Sequence, residues 1–193
     1  MVKNDMDTLN CSLANALNLI GEWWTILILR EAFFGSCRFE DFQKHLGIAR
    51  NILTARLKKL VDSGILERVP IKQGAKRHEY RLTEMGRDLY PTLVTLTQWG
   101  DRWMHQKDGA PMRFLDRSTG KDIADVAILS KEGRRLRPRD LALVPGPGAT
   151  DETIERLRVL EVARKEQAVK EQAVKEQVLK QQILKEQASD SDQ

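Results

Sequence analysis

Residues 39–82 read FEDFQKHLGIARNILTARLKKLVDSGILERVPIKQGAKRHEYRL, and this stretch decides the fold. Phe39, Phe42 and Leu46 recur three and four residues apart and predict a short helix. Leu53, Leu57, Leu60 and Val61 do the same over about 50–63, with Gly64 placed to end that helix. Ile65 to Ile71 and Arg77 to Leu82 read as strands, joined by the polar loop Lys72-Gln73-Gly74-Ala75-Lys76. Upstream, Asn10 is a cap for a helix carrying Leu13, Leu17 and Ile20, ended by Gly21. A very apolar helix from Trp23 to about Phe34 follows, ended by Gly35. Downstream, Thr83 opens a long helix to about His105, with Met85, Leu89, Leu93, Leu96, Trp99 and Trp103 in line. Pro91 inside it predicts a kink or a first-turn boundary.

Helix, short turn, helix, then a hairpin with a basic tip is the pattern of a winged helix-turn-helix. The fold class expected is therefore mainly α, an α+β winged domain, with appendages. Charge points the same way. Residues 48–81 hold nine basic and three acidic residues, a net +6, against +4 for the whole chain. Such focusing is what phosphate binding requires. At 100° per residue, Leu53, Leu57 and Leu60 share the buried face of the second of these helices. Asn51, Ala55, Lys58 and Asp62 lie opposite, flanked by Thr54 and Lys59. Asn can bond adenine in a bidentate way, and Ala or a Thr methyl can touch the thymine methyl. Arg50 sits at the helix N-terminus, where reading helices meet bases. Lys58, Lys59, Lys72, Lys76 and Arg77 are read as phosphate or minor-groove contacts. Arg56 divides between phosphate and an internal ion pair.

The chain has 193 residues, 31% of them charged and 41% hydrophobic. Its mean hydropathy is −0.47 and its pI about 9.1. The mixed, polar start MVKNDMDTLN is not a signal peptide. The apolar run from Trp23 to Leu29 is far shorter than the roughly 20 residues a bilayer needs. Two cysteines, Cys11 and Cys37, make no disulfide framework. His45, His78 and His105 are too scattered to hold zinc. No Ser/His/Asp set, metal set or phosphate loop suggests an enzyme, and no basic amphipathic helix suggests a membrane surface. A cytoplasmic protein without cofactor or metal is expected.

Three regions differ in texture. Residues 10–107 are expected to form the winged, DNA-binding and dimerisation domain. Residues 108–150 are punctuated by Pro and Gly, with short alternations at 112–115, 123–129 and 141–144 that predict a small β-rich appendage. Residues 151–193 contain no Gly, Pro or aromatic residue. Their repeat KEQAV, KEQAV, KEQVL, KQQIL, KEQAS begins at Lys165. A period of five advances a helix by a net 140° or so, which scatters the apolar pairs around the axis and makes a poor coiled coil. The expectation is a short helix over 151–164 followed by a frayed, solvated one. Glu166–Lys170, Glu171–Lys175 and Glu176–Lys180 would be its i,i+4 pairs.

Residues 11–103 resemble the HxlR-type transcriptional regulators, relatives of the MarR winged-helix proteins. The resemblance is carried by Cys11-Ser12-Leu13, by the run from Leu17 through "RFEDF" and "LTARLKKLVDSGILERV", and by "EYRLTEMG". It implies double-stranded DNA as partner, a pseudo-palindromic operator, and a homodimer sealed by the N- and C-terminal helices. Leu13, Leu17, Leu89, Leu93, Leu96, Trp99 and Trp103 are the candidate seam. It also leaves a small-molecule or oxidant effector open. Relatives often carry Ser/Thr-Pro where this chain has Ala49-Arg50, a cap worth about 1 kcal/mol. Glu22-Trp23-Trp24 replaces a more usual Gly-Lys-Trp. The middle segment resembles an appendage of some such regulators that carries zinc-ribbon cysteines; here those turns hold none.

Cys11 matches the N-terminal cysteine that gives several such regulators a redox or electrophile response. Near a helix N-terminus the dipole can lower a thiol pKa. The alternative is an inert, half-buried thiol at the seam. For the whole domain, the rival reading is a protein-interaction module that kept the winged shape without DNA readout.

Overall fold

A computed structural model describes residues 9–72, 77–104, 107 and 109–190, with backbone alone at 178–179 and 181–190 of the last helix. The chain separates into two compact units, Met1–Arg135 and Leu136–Gln193. In the first, α1 (Ser12–Ile20), α2 (Trp23–Phe33), α3 (Phe39–Leu46) and α4 (Arg50–Asp62) precede a hairpin of β1 (Leu66–Pro70) and β2 (His78–Leu82). Two further helices follow, α5 (Glu84–Arg87) and α6 (Tyr90–Met104).

Phe42, Leu53, Leu57 and Leu60, which the periodicity selects, lie in the core. Ile28 and Leu29 of α2 meet Phe42 of α3, Leu53, Leu57 and Leu60 of α4, and Ile65 and Leu66 at the start of the hairpin. α3 has Glu40 and Asp41 in its first turn and Lys44 and His45 in its last, an order that suits the helix dipole.

The end of α4 fixes the wing. Gly64, at φ 75°, is in the left-handed region. There its N–H reaches Val61 O, and Ile65 N–H reaches Leu60 O, both at 3.0 Å. These are the paired bonds of a Schellman stop, and the buried Leu60 and Ile65 close it. The hairpin pairs antiparallel with Leu66↔Leu82, Arg68↔Tyr80 and Pro70↔His78 in register. Tyr80 N–H donates to Cys37 O at 2.7 Å, fastening β2 to the turn before α3.

Two local expectations change. The first helix starts one residue late, with Cys11 and not Asn10 at its N-cap and no side-chain cap bond there. The long helix from Thr83 is broken at Asp88–Leu89. Thr83 does cap, accepting from Gly86 N–H at 3.1 Å and donating to Gly64 O at 2.6 Å, but only for the four residues of α5. Pro91 then lies in the first turn of α6, where a missing N–H costs nothing. Gly86 is needed for space: a Cβ there would sit 2.2 Å from Ile65 O.

Among the described residues after α6, β structure is limited to two isolated bridges, Leu115↔Asp122 and Leu129↔Arg135, and residues 141–144 form no strand. The second unit holds a 3-10 turn at Pro138–Asp140 and α7 (Asp151–Asp190), one continuous helix where a short one and a frayed one were expected. Arg164 ties the two together by donating to Leu141 O at 2.5 Å and Pro138 O at 3.2 Å. The repeat shows Lys165–Glu161 at 3.2 Å and Gln167 and Gln172 donating to Glu171 and Glu176, in place of the predicted Glu–Lys pairs. No single helix among the described residues is long and apolar enough to cross a membrane.

Candidate nucleic-acid interface

The angular reading of α4 holds in three dimensions. Leu53, Leu57 and Leu60 are fully buried, while Asn51, Ala55 and Lys58 on the opposite side, Thr54 on its flank and Arg50 at the N-terminal end are exposed. Ala49 supplies no side-chain cap. Thr54 Oγ1 donates to Arg50 O at 2.8 Å, which leaves its methyl free. Arg50 stacks its guanidinium over the Phe39 ring, 5.1 Å from the centroid, so the charge at the helix mouth is held by α3. Lys58 is paired with Asp62 at 2.5 Å.

Two cations turn elsewhere. Lys59 is half-buried and its ammonium donates to Asn18 O near the end of α1, so the structure does not bring it to this face. Capping the last turn of α1 suits a cation. Arg56 resolves to the ion pair: it reaches Glu22 at 2.9 Å. That contact gives the unusual Glu22 a structural partner.

In the wing, Lys72 and Arg77 are exposed on either side of the tip, and Ile71 N–H donates to Arg77 O at 3.1 Å. Lys76, with Gln73 to Ala75, lies outside the described residues. At the wing base Arg81 bonds Glu79 at 2.9 Å and, with Arg38 at 3.7 Å, holds that carboxyl below its ordinary range. Cys37 beside it is pushed up, by burial first and by Glu79 second.

The apolar seam divides. Leu13, Leu17, Leu96, Trp99 and Trp103 are exposed, Leu13 by 67% and Trp103 by 56%. Leu89 and Leu93 instead pack half-buried against the core: Leu89 lies in the break before α6 and Leu93 beside the buried Val94, while Leu96, Trp99 and Trp103 turn to the far side of that helix. Cys11 is exposed at the start of α1. Among the described residues no group of three His, Cys, Asp or Glu could hold a metal ion.

Sequence reasoning missed one polar cluster. Glu31 of α2 is buried and accepts from Arg30 (2.7 Å), while its other oxygen lies 3.2 Å from Nδ1 of His45 on α3. Ser36 Oγ lies 3.0 Å from the same Nδ1. A lone Glu within an apolar helix was the only signal for it.

A reading helix with an exposed polar face, braced by a basic hairpin, defines a winged helix-turn-helix regulator of transcription rather than an enzyme. The sequence model of the HxlR-like helix-turn-helix family matches residues 19–108. An HTH-type transcriptional regulator of Mycobacterium tuberculosis is 44% identical over 137 residues, which span 71% of this chain and 87% of that protein. PA1607, a protein proposed to be a transcription factor, superposes with a TM-score of 0.69 at 36% identity, over 74% of this chain and all of that one. PA1374 of Pseudomonas aeruginosa, described in the same words, gives 0.55 at 35% identity over 76% of this chain and 99% of its own. The chain belongs to the HxlR-like helix-turn-helix family.

Proposed function

We propose that the protein binds double-stranded DNA as a homodimer, with the two copies of α4 reading the halves of a pseudo-palindromic operator. The observation that carries this is the clean division of α4, with its leucines sealed and Arg50, Asn51, Thr54, Ala55 and Lys58 facing out beside the wing. Lys72 and Arg77, with Lys76 by sequence, supply flanking phosphate or minor-groove contacts. Lys59 is not part of the interface. The exposed row Leu96, Trp99 and Trp103 on α6 and the exposed row Leu13 and Leu17 on α1 favour a second copy as their cover. Cys11, exposed at a helix start close to that row in sequence, is the candidate thiol for a redox or electrophile signal.

The test is a binding titration on the DNA upstream of the protein's own gene and on a scrambled duplex, at two salt concentrations, with sedimentation of the free protein. Operator-selective, salt-dependent binding by a species of twice 22.1 kDa is expected. Failure to bind either duplex at low salt rejects the DNA reading. Repeating the titration after alkylation of Cys11 tests the signal.

A further inference from the structure

Beside the reading domain lies a cavity of about 260 Å³ that the DNA reading does not use. Three separate elements build it. α2 and its C-cap contribute Phe33 and Phe34, and α6 contributes Val94, Thr97 and Asp101. The third wall, Met112 and Phe114, comes from the segment after α6.

That third wall is held firmly. The Gln98 side chain brackets the backbone of the segment, accepting from Val126 N–H at 2.8 Å and donating to Ala124 O at 3.2 Å. Arg102 pairs with Asp125 at 2.6 Å. Ile123 N–H donates to Phe114 O at 3.0 Å, so the clamp on 124–126 extends to the wall itself. Arg113 bonds Asp122 through two nitrogens, and that bond holds the Asp122 carboxyl below its usual range.

The lining is aromatic and aliphatic with few charges. Arg30 reaches the cavity but its guanidinium is already neutralised by two bonds to Glu31. Arg102, next to Asp101, is taken by Asp125. Asp101 is the one carboxylate among the lining residues, and among the described residues no ion pair involves it. Scaled from a 150 Å³ cavity that takes benzene, the volume suits roughly ten heavy atoms.

We propose that this cavity is an effector site for a small aromatic amine: the ring lies against Phe33, Phe34 and Phe114, and the ammonium pairs with Asp101. The site also touches the reading domain. Arg30 at its edge bonds Glu31, and Glu31 meets His45 of α3, the helix on which Arg50 stacks. A ligand that shifts Arg30 therefore changes the support of α3 and α4. This coupling rests on the DNA reading; the ligand site does not.

The test uses the full chain and three probes of one shape: 2-phenylethylamine, 2-phenylethanol and phenylacetate, followed by calorimetry. The amine is expected to bind saturably and at least tenfold tighter than the alcohol, and the acid not at all. Asp101→Asn should remove the preference for the amine while leaving the unfolding midpoint within a degree or two. Val94→Phe, filling the floor, should block all three. Equal binding of amine and acid, an Asp101→Asn variant that keeps the preference, or no saturable binding overturns the site. A second arm measures DNA affinity with and without saturating amine. A change of threefold or more supports the coupling, and an unchanged affinity refutes it. If the wild type binds no DNA while the amine still binds, the DNA reading fails and the ligand site stands.

Discussion

Replacing Arg77 by Ala should alter how DNA binding depends on salt more than it alters which DNA is bound. Its side chain is exposed beside the wing tip, and among the described residues no carboxylate pairs with it. The wing does not need that side chain, because the ladder is closed by the backbone bond from Ile71 N–H to Arg77 O. The change therefore removes one phosphate contact per protomer and two per dimer. Each contact contributes a slope of about −0.9 in log affinity against log salt, so the slope flattens by about 1.8 units. Between 50 and 200 mM salt, wild type then loses about tenfold more affinity than the variant. Asn51→Ala is the contrast: it should cost about 1–3 kcal/mol on the operator, little on scrambled duplex, and leave the slope alone. Fluorescence anisotropy on both duplexes across that salt range reads all of this. A slope change near half the stated value would mean one contact per complex and argue against the dimer. An unchanged slope, or a loss confined to the operator, would refute the phosphate role of Arg77.

Leu96→Glu with Trp99→Glu should convert the dimer to a 22.1 kDa monomer in the ultracentrifuge; a wild type already monomeric at micromolar concentration refutes the seam. Gly86→Ala should destabilise by about 1–3 kcal/mol or more in urea unfolding, since backbone must yield around a Cβ placed 2.2 Å from Ile65 O. A change within about 0.5 kcal/mol, typical of a surface site, would contradict that packing. Iodoacetamide should label exposed Cys11 well before Cys37. Burial raises the Cys37 thiol above its ordinary 9.0, so its thiolate grows in only above that pH and its labelling should rise there; mass spectrometry of the two peptides decides. Removing 136–193 should keep DNA affinity within a few-fold, because the +6 focus lies in 48–81; a hundredfold loss would place a DNA contact in the second unit.

The period of Leu53, Leu57 and Leu60, the stop at Gly64 and the two strands were legible because each is local. Helical spacing, a left-handed residue and a polar turn act within a few residues of themselves, so the reading helix and its outward face follow from the sequence alone. The same locality explains the misreadings. Leu89 and Leu93 share a spacing with Leu96 and Trp99, yet Leu89 falls in the break at Asp88–Leu89 and Leu93 lies beside the buried Val94, so both pack on the core. Lys59 looks like a surface cation, and Arg56 stays divided between phosphate and an ion pair, until α1 and Glu22 are folded beside them. The buried pairing of Glu31 with His45 spans 14 residues and leaves no periodic trace. Nor does any pattern join Asp101 to Phe33 and Phe114, which meet only when α2, α6 and the following segment pack. Local chain statistics determined the elements and their faces. Packing between distant residues decided which charges stay free, which leucines stay exposed and where a cavity remains.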